Sequence, residues 1–284
     1  MKLFPKHLLI VSISQITQKD LKYMLNKMKT TLSVAIATYN DGQFINKCLD
    51  SVSGIADEIV VYNAKSSDDT VAKLKKYSKV KIITGPNHPI FHINKQIAID
   101  ACKSDWILQL DADEVASPEL KNEILKTIVN TEFNGFWIKR KNYFLGKFLS
   151  KGGVYPDPTI RLYRRGFGKL PCKDVHEQAE VKGPVSTLTH DLLHFADKSF
   201  SRYLLRNDRY TTLLAQDFKA AGVKINFINF LNYFIIKPIH WFFLAYFRHR
   251  GYVDSFPGFV FAWYSSLRFP IAYIKLFELR HEKI

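Results

Sequence analysis

A chain of 284 residues, 47% hydrophobic and 24% charged, can bury a sizeable core, and its composition excludes fibrous and disordered classes. Its 41 Lys and Arg against 26 Asp and Glu leave a formal net charge of +15, which calls for an anionic partner: nucleic acid, an acidic membrane surface or a phosphorylated substrate. Three cysteines (Cys48, Cys102 and Cys172) without CxxC spacing argue against a zinc ribbon or a disulfide framework and fit a reducing cytosol.

Residues 1–30 hold one short apolar run, Leu8 to Ile13, too short to span a bilayer and followed by no clean cleavage pattern; they read as an extension outside the core fold. Regular alternation begins at residue 31. "LSVAIATYN" (32–40) is a buried strand with a polar end, "FINKCLDSV" (44–52) has helical spacing, and "EIVVYN" (58–63) is a second strand. "DDTVAKLKKYS" (68–78) is an amphipathic helix and "VKIIT" (80–84) a third strand. Strands alternating with helices over short loops predict an α/β fold: a mainly parallel sheet covered by helices on both faces. Ligands of such sheets bind beyond the carboxyl ends of the strands, where this chain places Thr38, Tyr39, Asn40, Asn63, Asp111 and Asp113. No GxGxxG or GxxxxGK[ST] follows the first strand, which weakens dinucleotide and P-loop readings.

The fourth strand, "WILQL", runs into Asp111, Asp113 and Glu114. Alternation aims Asp111 and Asp113 the same way, and two such carboxylates repel unless a cation joins them; hard divalent ions take such oxygens together with substrate phosphates. Ser117 as cap, Pro118 in the first turn and Glu119 behind it then predict a helix start. Residues 133–183 mix short β-like runs with Gly, Pro and clustered Arg and Lys, as in an acceptor-side region with mobile loops. "SFSRYLLRNDRYTTLLAQDFKAAG" (199–222) is a helix capped by Ser199 and closed by Gly222. The aromatic segments 225–247 and 256–277 are interrupted by Asn, Lys, Pro, His or Arg; Lys237, Pro238 and His240 make spanning costly. They fit an in-plane helix pair, with Trp241, Tyr246, Trp263 and Tyr264 as anchors and Arg248, Arg250, Arg268 and Lys275 near lipid phosphate. A helical lid packed on the first domain is the competing reading.

Taken together, "LSVAIATYNDGQFINKCLDSV", "DEIVVYNAKSSDDT", "LQLDADEVASPEL", "RKNYFLGKFLSKGGVYPDPTIRLYRRG", "VHE" and "LLHF" resemble the inverting family 2 glycosyltransferases of GT-A fold, within them the subgroup that builds lipopolysaccharide core. The resemblance covers roughly residues 31–270. It implies a GT-A domain over 31–198 and a C-terminal helical region over 199–284 that associates with a membrane. It also implies a nucleotide-sugar donor, a Mg2+ or Mn2+ ion on the DxD motif and attack by a hydroxyl of a lipid-linked saccharide acceptor. The enzyme would be cytoplasmic and peripheral on the inner membrane, with no nucleic acid as partner.

By that resemblance Asp113 is the main metal ligand, Asp111 touches ribose or the metal's waters, and His194 completes the metal shell or is a buried core histidine. Thr38, Tyr39, Asn40, Asn63, Ser66, Asp68 and Lys95 border the donor. The family's strand-end aspartate is replaced here by Asn63, and its following glycines by Lys65 and Asp69; an amide can still pair with uracil, so a UDP-sugar is expected. Glu177 is the expected general base and Asp157 the alternative. Two other classes remain open: a nucleotidyltransferase using the same metal-diphosphate geometry, and a non-catalytic basic protein that binds membrane or nucleic acid.

Overall fold

The computed structural model describes residues 30–173, 177–197 and 199–281. The extension expected over residues 1–30 lies outside the described residues, apart from Thr30. The first half alternates as expected: β1 (Leu32–Thr38), α1 (Gly42–Val52), β2 (Glu58–Asn63), α2 (Thr70–Leu74), β3 (Val80–Thr84), α3 (Phe91–Asp100) and β4 (Trp106–Asp111). β1 lies between β2 and β4, and β3 joins beyond β2, all parallel. Side chains of β1 alternate between two cores. Leu32, Val34 and Ile36 pack with Ile45 and Leu49 of α1, while Ala35 packs with Ala98 and Ile99 of α3 on the other face.

The helix expected over 68–78 is confined to Thr70–Leu74. The Asp68 carboxylate accepts from Gly42 N and Thr70 N, both at 3.0 Å, so the short acid competes with helical hydrogen bonding and stays in the loop.

β5 (Glu114–Ala116) and α4 (Pro118–Val129) follow the acids. Ser117 caps α4 by accepting from Leu120 N at 3.2 Å. The next strands are β6 (Gly135–Phe144), β7 (Lys147–Phe148), β8 (Asp157–Arg164), β9 (Gly168–Lys169), β10 (Glu180–Val181) and β11 (Val185–Asp197). They extend the sheet to nine strands in the order β3-β2-β1-β4-β8-β6-β11-β5, with β7 paired to β6; β9 and β10 form a separate ribbon. β8 runs antiparallel to β4 and β6, and β5 antiparallel to β11, so the sheet is mixed beyond β4. The register of β5 on β11 sets His194 opposite Glu114, and Phe195 N donates to Asp113 O at 2.9 Å.

A helical layer closes the chain: α5 (Phe200–Ala220), α6 (Phe227–Arg248), α7 (Ser255–Ser266) and α8 (Arg268–His281). Ser199 caps α5 through Arg202 N at 3.2 Å, and Gly222 follows it with φ +69°. Phe144 and Leu149 pack against Tyr203 and Val260, which joins sheet to helices. The Asp254 carboxylate accepts from Ser150 Oγ and Lys151 N, each at 2.8 Å, tying the 150–152 loop to the turn before α7. Gly258 is required in the first turn of α7, against that turn, because a Cβ there would meet Gly251 O at 2.0 Å.

Pro238 does not break α6. A π turn over Asn232–Ile236 precedes it, and Lys237 N donates to Asn232 O, so the wider turn absorbs the lost i→i−4 bond. α6 is thereby one helix, long and apolar enough by length and composition to cross a membrane, with 11% of its apolar window buried. Of the four expected aromatic anchors only Trp263 is exposed: Trp241 donates to Ser265 Oγ beneath Arg268, and Tyr264 packs on Phe200. Lys275 is turned inward onto Asp208. The exposed apolar face of α6 is instead Ile236, Ile239, Phe243 and Phe247, at helical spacing, with Phe256 and Trp263 of α7 also exposed.

Candidate active site

A cavity of about 880 Å³ opens beyond the carboxyl ends of β1 and β4, walled by the strand ends, β6, β8, β11 and the first half of α5. It holds Lys95, Asp111, Asp113, Asp157, Glu177 and His194, six of the residues expected at the site. Thr38, Tyr39, Asn40, Asn63, Ser66 and Asp68 are not in its wall, which at that end is formed by Ala37 and Asp41. They are nonetheless tied together beside it. Thr38 and Asn63 are register partners, Asn63 Oδ1 accepts from Ser66 N at 3.1 Å, and Asn40 N donates to Ser66 Oγ at 3.0 Å.

The two acids of the DxD have different environments. Asp111 contacts Lys95 Nζ through one oxygen and Arg161 through the other, at 2.7 Å. Burial alone would raise its carboxyl, but Arg161 and then Lys95 hold it well below the usual carboxylate range. Glu114, fully buried, accepts from the same Arg161 at 2.7 Å and from Asp111 N at 3.0 Å, and Arg140 approaches it at 3.4 Å. Arg140 also pairs with Asp157 at 2.7 Å. Lys95 is therefore no solvated helix lysine; burial pulls its pKa down, partly offset by Asp111.

Asp113 faces His194, with Oδ1 and Nε2 3.6 Å apart. That is too long for a hydrogen bond and close to the ~3 Å separating neighbouring ligands on an octahedral ion bound at ~2.1 Å. His194 Nδ1 lies 2.6 Å from Asn142 Oδ1, which can only accept, so Nδ1 is the donor of that pair and Nε2 is the ring nitrogen turned to Asp113, where it could ligate an ion through its lone pair. Among the described residues no three His, Cys, Asp or Glu converge as a metal cluster. The donor set thus fits an ion held by two side chains whose remaining positions belong to phosphate and water. Asp111, with both oxygens on cations, is placed to orient the turn and hold these cations in the cavity wall.

Of the two candidate bases, Asp157 is held by Arg140 and by Asn142 Nδ2 at 3.0 Å. Glu177 accepts from Lys173 N at 3.0 Å and lies 4.0 Å from His92 Nδ1. Several site residues were missed by sequence reading: Asp41, whose carboxyl is raised by burial, Arg140, Asn142, Arg161 and the α5 arginines. Arg161 carried a usable signal, because it is the one charge inside the apolar alternation "TIRLY".

A mixed sheet of this topology, with acids and a histidine gathered beyond its central strand ends, defines a GT-A-type glycosyl-transfer site. Residues 33–179 match the model of the Glycosyl transferase family 2, more than half of the chain, and the protein belongs to that family. It is similar to the lipopolysaccharide core biosynthesis glycosyltransferase LpsC of Rhizobium meliloti, 27% identical over 255 residues that cover 84% of this chain and 92% of LpsC. An uncharacterized glycosyltransferase of Rickettsia conorii is 26% identical over 275 residues, covering 92% of this chain and 94% of its own. The crystal structure of S. aureus TarS residues 1–349 with UDP aligns at a TM-score of 0.47 with 14% identity, covering 88% of each chain.

Arg161→Ala leaves the fully buried Glu114 and the half-buried Asp111 without their shared cation, a loss of about 3–5 kcal/mol that thermal or urea denaturation will register. Adding Glu114→Gln to that variant recovers part of the loss; an unchanged midpoint in Arg161→Ala would show the network to be incidental to the fold.

Proposed function

We propose that the protein is an inverting glycosyltransferase that moves a sugar from a UDP-sugar to a hydroxyl of a lipid-linked saccharide, such as growing lipopolysaccharide core. The observation that carries this reading is the Asp113–His194 pair at the mouth of β4, in a cavity that also holds Glu177, within a family 2 chain. The similarity to LpsC over most of both chains supports the acceptor class. Family membership favours glycosyl transfer over nucleotidyl transfer and over a non-catalytic basic protein.

A divalent ion on Asp113 and His194 would supply Lewis-acid stabilisation of the departing diphosphate. The side chains do the rest. Asn142 holds the His194 ring with Nε2 turned to Asp113. Lys95 and Arg161 neutralise Asp111 and Glu114 at the strand end, so these acids do not oppose the negative charge that develops on the leaving group. Glu177 takes the proton of the attacking hydroxyl: its carboxylate accepts from one backbone donor, whereas both Arg140 and Asn142 hold Asp157 in place. Asn63 and its loop partners Asn40 and Ser66 order the edge against which the base would rest.

The exposed apolar row on α6 and α7, with Arg248 and Arg250 exposed at the end of α6, fits a helical layer lying at the headgroup level of the cytoplasmic face of the inner membrane. Lys237 and His240 within the helix favour that placement over spanning.

Asp113→Ala is expected to abolish sugar transfer while the far-UV spectrum and melting midpoint stay near wild type; full activity of this variant, or of wild type in EDTA, would sink the metal-dependent reading. Glu177→Gln should cut turnover on the order of 10²-fold or more with donor affinity retained. Were Asp157→Asn to show that pattern instead, the base is Asp157. In fractionation, the full chain should sediment with membranes at low salt and a chain ending at Gly222 should not; release by high salt reports charge as the main attachment, release only by detergent reports the apolar row. A full chain soluble at every step refutes the membrane reading.

A further inference from the structure

The first half of α5 forms one wall of the cavity and presents Arg202, Arg206 and Arg209 at i, i+4 and i+7, a single stripe. Their neutralisation falls off along the helix. Arg202 donates to Ala196 O at 3.0 Å, lies over the Phe44 ring and is 3.7 Å from Asp41, so it is spent on the fold beside the end of β1. Arg206 is paired, among the described residues, with the buried Asp197 alone. Arg209 has no acidic or hydrogen-bonding partner among the described residues, yet it is in the cavity wall. At 1.5 Å per residue it lies about 10 Å along the helix from Arg202, away from the strand ends. Leu205 and Tyr210, 75% and 47% exposed, flank it on the same wall.

A guanidinium without a counter-ion, beside an aromatic ring in a cavity, is the pairing that binds a sugar with an acidic substituent: the ring takes its C–H face and the fork takes carboxylate or phosphate. Building on the transfer reading above, we propose that the outer half of α5 is the acceptor subsite and that the acceptor saccharide carries a carboxylate or phosphate, bound by Arg209 with help from Arg206. Phe261 of α7, in the same cavity wall, links this subsite to the helical layer whose outer face is apolar, so an acceptor held by a lipid would reach Arg209 from that side.

The test is calorimetric titration of the full-length protein saturated with UDP and Mg2+, using glucose 6-phosphate, glucuronate and neutral glucose as probes. Wild type should bind at least one charged sugar about tenfold or more tightly than glucose, and the tighter of the two identifies the acidic group. Arg209→Gln should erase that preference with UDP affinity and melting midpoint unchanged, since the side chain is exposed and supports nothing else. Equal binding of charged and neutral sugars, or a preference that survives in Arg209→Gln, overturns the proposal. So does a third result, in which Arg209→Gln binds charged sugars like wild type but loses affinity for phosphatidylglycerol vesicles, because the arginine is then a membrane contact. The UDP titration that precedes these steps reports on the donor reading by itself: UDP failing to bind counts against that reading, while the ratio of charged to neutral sugar still decides this one.

Discussion

Everything at the site hangs on one buried arginine. Arg161 extends from β8 between Asp111 and Glu114, and without it two carboxylates would be desolvated within reach of each other. Its presence lets the turn after β4 close with Asp111 N donating to Glu114, which in turn leaves Asp113 outside the network and directed at His194. The network continues without a break through Arg140 and Asp157 to Asn142 and His194. One chain of hydrogen bonds and ion pairs therefore both holds the mixed half of the sheet against the parallel half and orients the His194 ring. Structural and chemical roles share the same atoms.

The helical layer is built on a different principle. Its contact with the sheet is aromatic and aliphatic, through Phe144, Leu149, Tyr203 and Val260, and its internal cations are absorbed by rings: Lys237 lies 3.9 Å from the Tyr233 centroid and Arg268 3.8 Å from that of Trp241. Folding these charges inward leaves the outer surface of α6 apolar, the reverse of the arrangement a water-facing helix adopts. The inner surface of the same layer supplies the arginines of the cavity. A single set of helices thus presents an exposed apolar face on one side and arginines in the cavity wall on the other.

The strand–helix alternation through β4, the caps at Ser117 and Ser199 and the acids at the end of β4 were legible because each depends on residues within a few positions of one another. Segment 225–247 is one helix, as expected, because a π turn with no sequence signature accommodates Pro238, whereas segment 256–277 is divided between α7 and α8. The exposure of Trp241 and Tyr264 was misjudged for a non-local reason, since their covering partners, Arg268 and Phe200, come from other helices. Asp111 and Asp113, two residues apart and alike in composition, have different surroundings because one meets Lys95 and Arg161 and the other His194, 16, 50 and 81 positions distant in the chain.

By itself the sequence determined the fold class and the position of the acids at a strand end, because hydrophobic periodicity and turn chemistry act over short range and are written in consecutive residues; the family showed in the resemblance of its motifs. Only the tertiary structure decided which carboxylate is neutralised, which His194 nitrogen faces Asp113 and which cavity arginine has no acidic partner among the described residues. Those outcomes depend on Coulomb energies between groups brought together by sheet order and register, and a charge pair that decides a site at 3 Å leaves no periodic trace in a linear chain.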